Sequence, residues 1–398
     1  MALSESKRVN AAHQNKPSNG AQDAVEPVIK VEKQEQGVVV RRMSKRLKRL
    51  SEEELDIARK LSFSAALKKN GEPLEEEDDD IGGGKVEIVI RIRPPEKDKE
   101  NDDECFSVTS DRKLVTYPPK TSQAYRSTGT ATSFEFSRVF PAQTEQQELF
   151  EVTTKPVLEA AFAGKNGLVF AYGVTNSGKT YTITGTEENP GVLPRALQYV
   201  MEEIGRRKEN EESPVTKIAV SYLEIYNDNV YDLISAPVRK RRALRIQVND
   251  GKVQVRGMME REIKSLKEAQ ELLAIGKKHK QMAETNCNMD SSRSHCIFSM
   301  YFYHQVDRQT ELRSKVSIVD LAGAERGAKS GATGQRMQEA SKINNSLTCL
   351  MRCFENLRWN QEHPGGPQKI LPFRESKLTK VGRIVKCCMR ELDSLNVS

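Results

Sequence analysis

One glycine-spaced loop, Gly173 to Thr180 (GVTNSGKT), constrains this chain more than any other feature of its sequence. The loop matches the phosphate-loop spacing G-x-x-x-x-G-K-[ST] in full. The apolar residues 168–171 (LVFA) before it predict a buried parallel strand, and the residues after it predict a short helix that Gly185 ends. A chance Gly/Ser-rich turn would not carry both flanks. The stretch therefore predicts a site for a nucleoside triphosphate.

The residue types in this loop suit phosphate chemistry. Gly173 and Gly178 let the backbone wrap an anion, and the Lys179 ammonium would reach the β- and γ-phosphates. Thr180 would offer its hydroxyl to Mg²⁺, which prefers oxygen ligands. The predicted nucleotide contacts within the loop are Gly173, Val174, Thr175, Asn176, Ser177, Gly178, Lys179 and Thr180.

Length and cysteine usage limit the class of protein. The 398 residues suffice for one large α/β domain with appendages, or for two ordinary domains. No apolar run approaches the ~20 residues that span a bilayer and the N-terminus is polar, so we expect an intracellular protein without a membrane segment or secretory signal. The seven cysteines show no paired CxxC spacing, which favours free thiols over a zinc site or a disulfide framework.

The first 84 residues differ in composition from the rest. Few aromatics and many polar residues predict a disordered tail over residues 1–84. A basic cluster from Arg41 to Arg49 is compatible with a nuclear import signal, with an import receptor as partner, and equally with a solvated charge run. An acidic run over residues 75–80 and three glycines predict a linker that ends at residue 84.

The formal charge of +7 is concentrated in the remainder of the chain. Residues 1–84 carry 15 Lys/Arg and 16 Asp/Glu, so the rest holds a net +8. A mildly basic domain is compatible with an acidic macromolecular partner and also with mere solubility.

Alternating segments after residue 84 predict an α/β fold. Residues 85–92, 218–226, 297–303 and 316–319 have strand character, and residues 144–163, 260–280 and 337–357 have helical periodicity. This alternation predicts a central, mostly parallel mixed sheet with helices on both faces.

Two further polar stretches belong with the phosphate loop. The strand at 316–319 ends in DLAGAER, which places Asp320 where a nucleotide site holds the carboxylate of the magnesium shell. Gly323 then leaves a bare amide that can approach a γ-phosphate. The stretch NCNMDSSRSH, residues 286–295, carries too many hydroxyls for a core element.

Five motifs together resemble the kinesin motor domain. They are GVTNSGKT, NMDSSRSH, DLAGAER, INNSL at residues 343–347 and LPFRESKLT at residues 371–379, in the family's order. The resemblance covers residues 85–379. It implies a three-layer P-loop NTPase fold of kinesin type and an ATPase that uses ATP and Mg²⁺ and binds microtubules. No direct contact with nucleic acid or membrane is expected.

The resemblance also implies roles for individual residues. Arg91, Arg93 and Pro94 resemble the adenine-pocket motif beside Tyr181. The residues that resemble switch I are Asn288, Ser291, Ser292, Arg293 and Ser294. Asp320, Gly323 and Glu325 resemble switch II, with an Arg293–Glu325 salt bridge that closes the switches. The implied catalytic residues are Ser292, Arg293, Gly323 and Glu325, the implied Mg²⁺ residues are Thr180, Ser292 and, through water, Asp320, and the implied microtubule contacts are Arg241, Arg242, Arg374 and Lys377.

Subfamily and motility are the finer expectations. Asn176, the long tail and INNSL resemble the kinesin-6, or mitotic kinesin-like, group, which implies work at the central spindle in cytokinesis, with relatives that dimerise through a stalk. Localisation would be the cytoplasm and spindle microtubules, with the nucleus in interphase as a further site.

Residues 380–398 depart from the kinesin pattern and suggest a truncated or divergent end. The alternative function is therefore a non-motile, nucleotide-gated microtubule-binding module. A GTPase switch is disfavoured, because the NKxD base-reading motif is absent from the sequence.

Overall fold

A computed structural model describes residues 86–94, 105–118, 130–210, 215–235, 242–249, 252–287, 291–306, 309–325, 335–363 and 365–382. The predictions for the tail over residues 1–84, including its basic cluster, lie outside these residues. So do those for residues 383–398.

The central sheet has six described strands. Its strands are β6 (Gly167–Ala171), β7 (Val215–Tyr226), β8 (Asn229–Asp232), β11 (Arg261–Ile263), β12 (Ser294–Val306) and β13 (Gln309–Asp320). The order is β11-β7-β12-β13-β6, with β8 paired to the free part of β7.

The sheet is mixed, as predicted, but the prediction that it is mostly parallel is wrong. Among the described strands of this sheet, only the β13–β6 pair runs parallel, while β11–β7, β7–β8, β7–β12 and β12–β13 are antiparallel. The physical reason is the connection between β12 and β13, which is only residues 307–308 long. So short a connection permits a hairpin, whereas parallel neighbours need a crossover of a dozen residues or more.

Helices cover one face of the sheet through a large apolar cluster. They are α1 (Gln146–Thr153), α2 (Lys155–Phe162), α4 (Val192–Glu209) and α5 (Leu266–Cys287). Leu158, Leu197 and Leu273 from these helices pack with Phe298 and Ile318 of the sheet. Because strand side chains alternate between faces, these even-numbered positions of β12 and β13 belong to one side.

The opposite face is covered by α6 (Gln335–Glu362) and α7 (Lys377–Gly382). Leu350 and Phe354 of α6 pack with Ile297 and Val319, the odd-numbered sheet positions, in a second apolar cluster. Helices thus lie on both faces, which confirms the predicted three layers. The short α3 (Lys179–Ile183) follows β6 directly.

Three smaller sheets complete the described fold. β1 (Val89–Arg91) pairs parallel with β5 (Arg138–Phe140), and β2 (Phe106–Ser110), β3 (Lys113–Thr116) and β4 (Thr132–Glu135) form a three-stranded antiparallel sheet. β9 (Arg245–Asn249) and β10 (Lys252–Arg256) form a hairpin. The predicted strand at 85–92 is therefore real but short.

Two observed helices differ from their predicted bounds, one by an interruption and one by a later start. The helix expected over 144–163 is interrupted between α1 and α2, where Pro156 lies in the first turn of α2 and has no N–H to donate to the preceding turn. The helix expected over 260–280 begins only at residue 266. Ser265 caps it by accepting from the Glu268 amide at 3.2 Å, and the three residues of β11 precede that cap.

No helix in the described part of the chain is both long and apolar enough to cross a bilayer.

Candidate nucleotide site

The phosphate loop connects β6 to α3, as the sequence predicts. Gly178 precedes α3 as its N-cap with φ 98°, a left-handed backbone conformation that residues other than glycine rarely adopt. Asn176 also has a positive φ, of 64°. Ser177 donates its amide to the Val174 carbonyl at 3.1 Å, which tightens the turn. The loop is therefore a compact bend that directs the chain from the buried strand into the helix.

Lys179 lies inside this bend. Its side chain is buried, and its Nζ donates to the Val174 carbonyl oxygen at 2.8 Å. The ammonium is thus folded back across the loop that carries it. This places a positive charge where the loop would hold phosphate oxygens.

Thr180 and Asp320 meet at the carboxyl end of the sheet. β6 and β13 run parallel with Ala171 opposite Asp320, so both strands end at the same edge. Thr180 Oγ1 donates to Asp320 Oδ2 at 2.7 Å across a separation of 140 residues. Two of the three residues predicted to serve Mg²⁺ are therefore in direct contact.

Asp320 is buried, and only one of its two carboxyl oxygens accepts a hydrogen bond among the described residues. Its Oδ1 has no hydrogen-bond partner among the described residues. Burial raises the pKa of this carboxyl, while the Thr180 hydroxyl, Lys280 and Lys179 act in the opposite direction. A buried carboxylate oxygen without a partner is costly unless a further group satisfies it.

These oxygens fit magnesium. Thr180, Asp320 and Ser292 offer hydroxyl and carboxylate oxygens, the ligand type that Mg²⁺ selects, and Mg²⁺ commonly takes only one or two protein ligands together with phosphates and waters. Within the described ranges, no group of three or more His, Cys, Asp or Glu side chains could hold a metal by itself. A magnesium ion at this site would thus depend on a bound nucleotide.

The segment after β13 closes against the two loops. Gly323 donates its amide to the Ser292 carbonyl at 2.8 Å, and Ala324 donates to the Gly173 carbonyl at 3.1 Å. A Cβ at Gly323 would lie 2.3 Å from both Thr175 Oγ1 and Glu325 Oε2, so only glycine allows this approach. The structure thus brings the predicted switch II residues into contact with the phosphate loop and with Ser292.

Glu325 contacts the phosphate loop rather than Arg293. Its Oε2 accepts from the Thr175 amide at 3.0 Å, and its Oε1 accepts from the Thr175 hydroxyl. Arg293 instead donates from Nη1 to Glu339 Oε2 of α6 at 2.7 Å. The Arg293–Glu325 salt bridge that the resemblance implied is absent from the described residues, because each side chain is already paired with a nearer partner.

Among the residues predicted for an adenine pocket, Arg91 and Tyr181 lie in one group of contacts. Arg91 Nη1 donates to Gln146 Oε1 at 2.7 Å and to Thr182 Oγ1 at 2.9 Å. Its guanidinium lies 5.2 Å from the centroid of the Tyr181 ring, which is partly exposed. Burial lowers the pKa of Arg91, and the nearby Tyr181 acts in the opposite direction. Arg93 Nη1 donates to the Asn176 carbonyl, and Pro94 is exposed beside it.

Three residues in this region were not predicted from the sequence. Gln146 is fully buried and links Arg91 to the Tyr181 carbonyl, to which its Nε2 donates at 2.7 Å. Glu339 accepts from both Arg293 and, at 2.8 Å, the Tyr226 hydroxyl. No local pattern marks these two residues, because their partners are tens of residues away.

His295 is the third missed residue, although it closes the hydroxyl-rich stretch. Its Nδ1 accepts from the Ala322 amide at 3.0 Å, so Nε2 carries the proton and donates to Ser346 Oγ at 2.9 Å. Burial, together with the Lys179 charge, lowers the pKa of His295 to about 3. This neutral imidazole connects β12, the turn after β13 and α6.

The remaining predicted residues are placed only in part. Asn288 and Arg241 lie outside the described residues, and Ser291 opens the 3-10 turn Ser291–Arg293. Arg242 and Arg374 are exposed, and Lys377 is half-buried at the start of α7. The structure brings Arg374 and Lys377 into one segment beside α6.

Comparison of the sequence with models of known protein families identifies the family of this chain. The family model described as the kinesin motor domain matches residues 91–383. The chain is a member of the kinesin family. Kinesin motor domains bind nucleotide and hydrolyse ATP, and kinesins associate with microtubules.

Similar proteins agree with this assignment. Mouse kinesin-like protein KIF23 is 32% identical over 375 residues, 74% of this chain and 39% of the mouse protein. Arabidopsis thaliana kinesin-like protein KIN-7O is 39% identical over 259 residues, 63% of this chain and 20% of the plant protein. The chain thus spans well under half the length of these relatives. The match to KIF23 is consistent with the kinesin-6 resemblance.

Solved structures share the fold. The solved structure of a fast kinesin aligns with TM-score 0.63 and 29% identity over 75% of this chain and 81% of its own. A dimeric KIF14 bound to AMP-PNP and a microtubule aligns with TM-score 0.62 and 27% identity over 76% of this chain and 84% of its own. The predicted kinesin-type fold is confirmed.

Proposed function

We propose that this kinesin hydrolyses ATP while bound to microtubules and acts as a motor at the central spindle in mitosis and cytokinesis. The contact between Thr180 and Asp320 carries the proposal, because it joins two of the three predicted magnesium residues at the phosphate loop. The likeness to KIF23 supports the cytokinetic role.

The chain's own residues would perform phosphoryl transfer to water by positioning and charge stabilisation. Lys179 and the loop amides would hold the β- and γ-phosphates, and the Gly323 amide would turn towards the γ-phosphate from its contact with Ser292. Thr180, Ser292 and Asp320 would hold Mg²⁺, which when bound neutralises the charge that develops on the phosphates.

Switch closure would require Arg293 to change partners. Arg293 lies on Glu339 of α6, and Glu325 lies on Thr175 of the phosphate loop. An ATP γ-phosphate near Thr175 would compete with the Glu325 carboxylate for the same amide. Release of Glu325 would then allow it to pair with Arg293, and α6 would lose one of its contacts to the site.

The microtubule surface would lie on the side of the sheet that α6 and α7 cover. Arg374 is exposed before α7, and Lys377 and Arg242 add positive charge. Tubulin is strongly acidic, and exposed charge pairs are screened beyond about 8 Å at physiological ionic strength. We therefore expect microtubule affinity to fall steeply with salt.

Co-pelleting with microtubules tests this function. The chain should pellet more tightly with a non-hydrolysable ATP analogue than with ADP, and R374E/K377E should weaken pelleting at least about 10-fold. K165E/K208E, a matched double charge reversal at exposed positions near α2 and at the end of α4, should leave it unchanged. Equal pelleting by wild type and R374E/K377E would refute the surface, and indifference to nucleotide would refute the coupling.

The finer proposals concern location and motility. Nuclear import through the basic cluster from Arg41 to Arg49 remains a prediction, because that cluster lies outside the described residues. The non-motile alternative depended on residues 380–398, and the similarity to kinesin motor domains does not favour it.

A further inference from the structure

The short loop between α3 and α4 is folded tightly on itself. Asn189 donates its backbone amide to the Thr186 hydroxyl at 3.1 Å, and the Thr186 amide donates to the Asn189 carbonyl at 3.1 Å. Gly185 has φ 70°, and a Cβ there would lie 2.2 Å from the Gly191 nitrogen, so the two ends of the loop meet without room for a side chain. The loop therefore holds the Asn189 backbone close to the end of α3.

Arg195, near the start of α4, sets the orientation of the Asn189 side chain. Its Nε donates to the Pro190 carbonyl at 2.9 Å, and its Nη2 donates to Asn189 Oδ1 at 3.4 Å. Its Nη1 donates to Gln147 Oε1 of α1, which ties the arginine to a second helix. Because a guanidinium can only donate, the Asn189 oxygen faces Arg195 and the amide nitrogen points the other way.

The Tyr181 ring lies at the end of this chain of contacts. Asn189 Nδ2 donates to the Tyr181 hydroxyl at 3.2 Å, and the Arg91 guanidinium lies 5.2 Å from the ring centroid. Gln146 Nε2 donates to the carbonyl of the same tyrosine at 2.7 Å. Tyr181 is nevertheless 42% exposed. The ring is thus held at its hydroxyl and at its backbone, while part of its surface stays open.

This open ring adjoins the phosphate loop. Tyr181 directly follows Thr180, the last residue of the loop, in α3. Arg93, which resembles the same adenine-pocket motif as Arg91, donates to the Asn176 carbonyl within the loop. A nucleotide whose phosphates lie on the loop can therefore place its base against the open part of the ring. Stacking on an aromatic ring suits any base, because every base has a flat π-face.

We propose that Asn189 is a positioning residue for the nucleotide base, which acts through the Tyr181 hydroxyl to hold the ring as a stacking wall. The inference rests on the proposed nucleotide site and adds to it the loop between α3 and α4. Without Asn189, the ring would lose its freedom only when the base binds, and ordering one side chain on binding weakens affinity by about 3- to 10-fold. Binding of the phosphates would stay unchanged, because residues 173–180 hold them.

The test compares ADP with pyrophosphate, which carries two linked phosphates and no nucleoside. Both compete with a fluorescent ADP analogue in excess Mg²⁺, and the inhibition constant of pyrophosphate divided by that of ADP gives the nucleoside ratio. In Asn189→Leu, this ratio should fall about 3- to 10-fold while the constant for pyrophosphate keeps its wild-type value. Tyr181→Phe, which keeps the ring and lacks the hydroxyl, should show the same fall. The double variant N189L/Y181F should fall no further, because both changes remove one interaction.

The matched control is Asn210→Leu, the same change at an exposed position at the far end of α4, which should behave as wild type. GDP in place of ADP should give the same fall in Asn189→Leu, since a stacking wall does not read the hydrogen-bonding edge of a base. An unchanged ratio in Asn189→Leu, a fall for only one of the two bases, or equal losses for pyrophosphate and ADP, as a merely structural role would give, would overturn the proposal. A wild-type protein that binds neither ADP nor pyrophosphate would instead overturn the proposed nucleotide site, and the inference with it.

Discussion

The pairing of Arg293 with Glu339 gives the sharpest energetic prediction. The Arg293 Nη1 and Glu339 Oε2 atoms are 2.7 Å apart, and the two side chains are 26% and 11% exposed. Two unit charges about 4 Å apart at an effective dielectric constant near 20 attract by roughly 4 kcal/mol before desolvation and ordering costs. Exposed pairs retain about 1 kcal/mol or less, and breaking a buried pair costs about 3–5. For this half-buried pair we expect a net coupling of about 1–2 kcal/mol.

A double-mutant cycle on urea unfolding measures this coupling. The cycle combines Arg293→Met with Glu339→Gln, because glutamine keeps an acceptor for the Tyr226 hydroxyl and so isolates the charge interaction. A parallel cycle with Glu325→Gln serves as the control and should give less than about 0.3 kcal/mol. Without nucleotide, a coupling energy below about 0.3 kcal/mol for Arg293 and Glu339, or a larger one for Arg293 and Glu325, would refute the pairing. With a non-hydrolysable ATP analogue, the proposed switch predicts that the Glu325 cycle gains what the Glu339 cycle loses.

Three further predictions address other parts of the site. Because the pKa of His295 is lowered to about 3 in the folded chain, the unfolded chain binds a proton first as pH falls below about 6.5, and the free energy of unfolding should drop by up to about 1.4 kcal/mol per pH unit from there towards pH 3. In His295→Gln, the urea midpoint should therefore depend less on pH between pH 6.5 and 5. An unchanged slope in that variant would count against the prediction. Arg91→Lys should lower the free energy of unfolding in urea by about 1–3 kcal/mol, because an ammonium cannot keep the forked contacts to buried acceptors. A change within about 0.3 kcal/mol of zero would contradict this. Glu325→Ala or Arg293→Ala should trap bound nucleotide, seen as a single-turnover rate of ADP formation at least about 10-fold below wild type, and a wild-type rate would show that closure does not need them.

The sequence was sufficient where the chemistry is local. The conformation of the loop from Gly173 to Thr180 could be predicted, because its glycines, the Lys179 ammonium and the Thr180 hydroxyl all lie within eight consecutive residues. The meeting of Thr180 with Asp320 also follows, since two parallel strands end at one edge of a sheet. The strands and helices that the sequence predicted lie close to observed ones, but the helices α4 (Val192–Glu209) and α7 (Lys377–Gly382) were not predicted.

The misses are long-range pairings and turn geometry. Nothing near Arg293 in sequence distinguishes Glu325 from Glu339 as its partner, because the choice depends on where α6 packs. In the sequence, Gln146 looks like an ordinary helix residue, and only the fold shows that it accepts a hydrogen bond from Arg91. The sheet was expected to be mostly parallel because the predicted strands at 297–303 and 316–319 leave residues 304–315 between them, whereas the observed β12 ends at Val306 and β13 begins at Gln309.

We propose above that this kinesin hydrolyses ATP at the phosphate loop under microtubule control. The most direct measurement is the steady-state rate of phosphate release at saturating ATP as the microtubule concentration is raised. We expect a slow basal rate that microtubules increase at least about 10-fold. Turnover should be lost in Lys179→Ala, because charge stabilisation at the phosphates is removed. Lys165→Ala, at an exposed lysine, should behave as wild type. A rate that microtubules leave unchanged, or near-normal turnover in Lys179→Ala, would contradict the account.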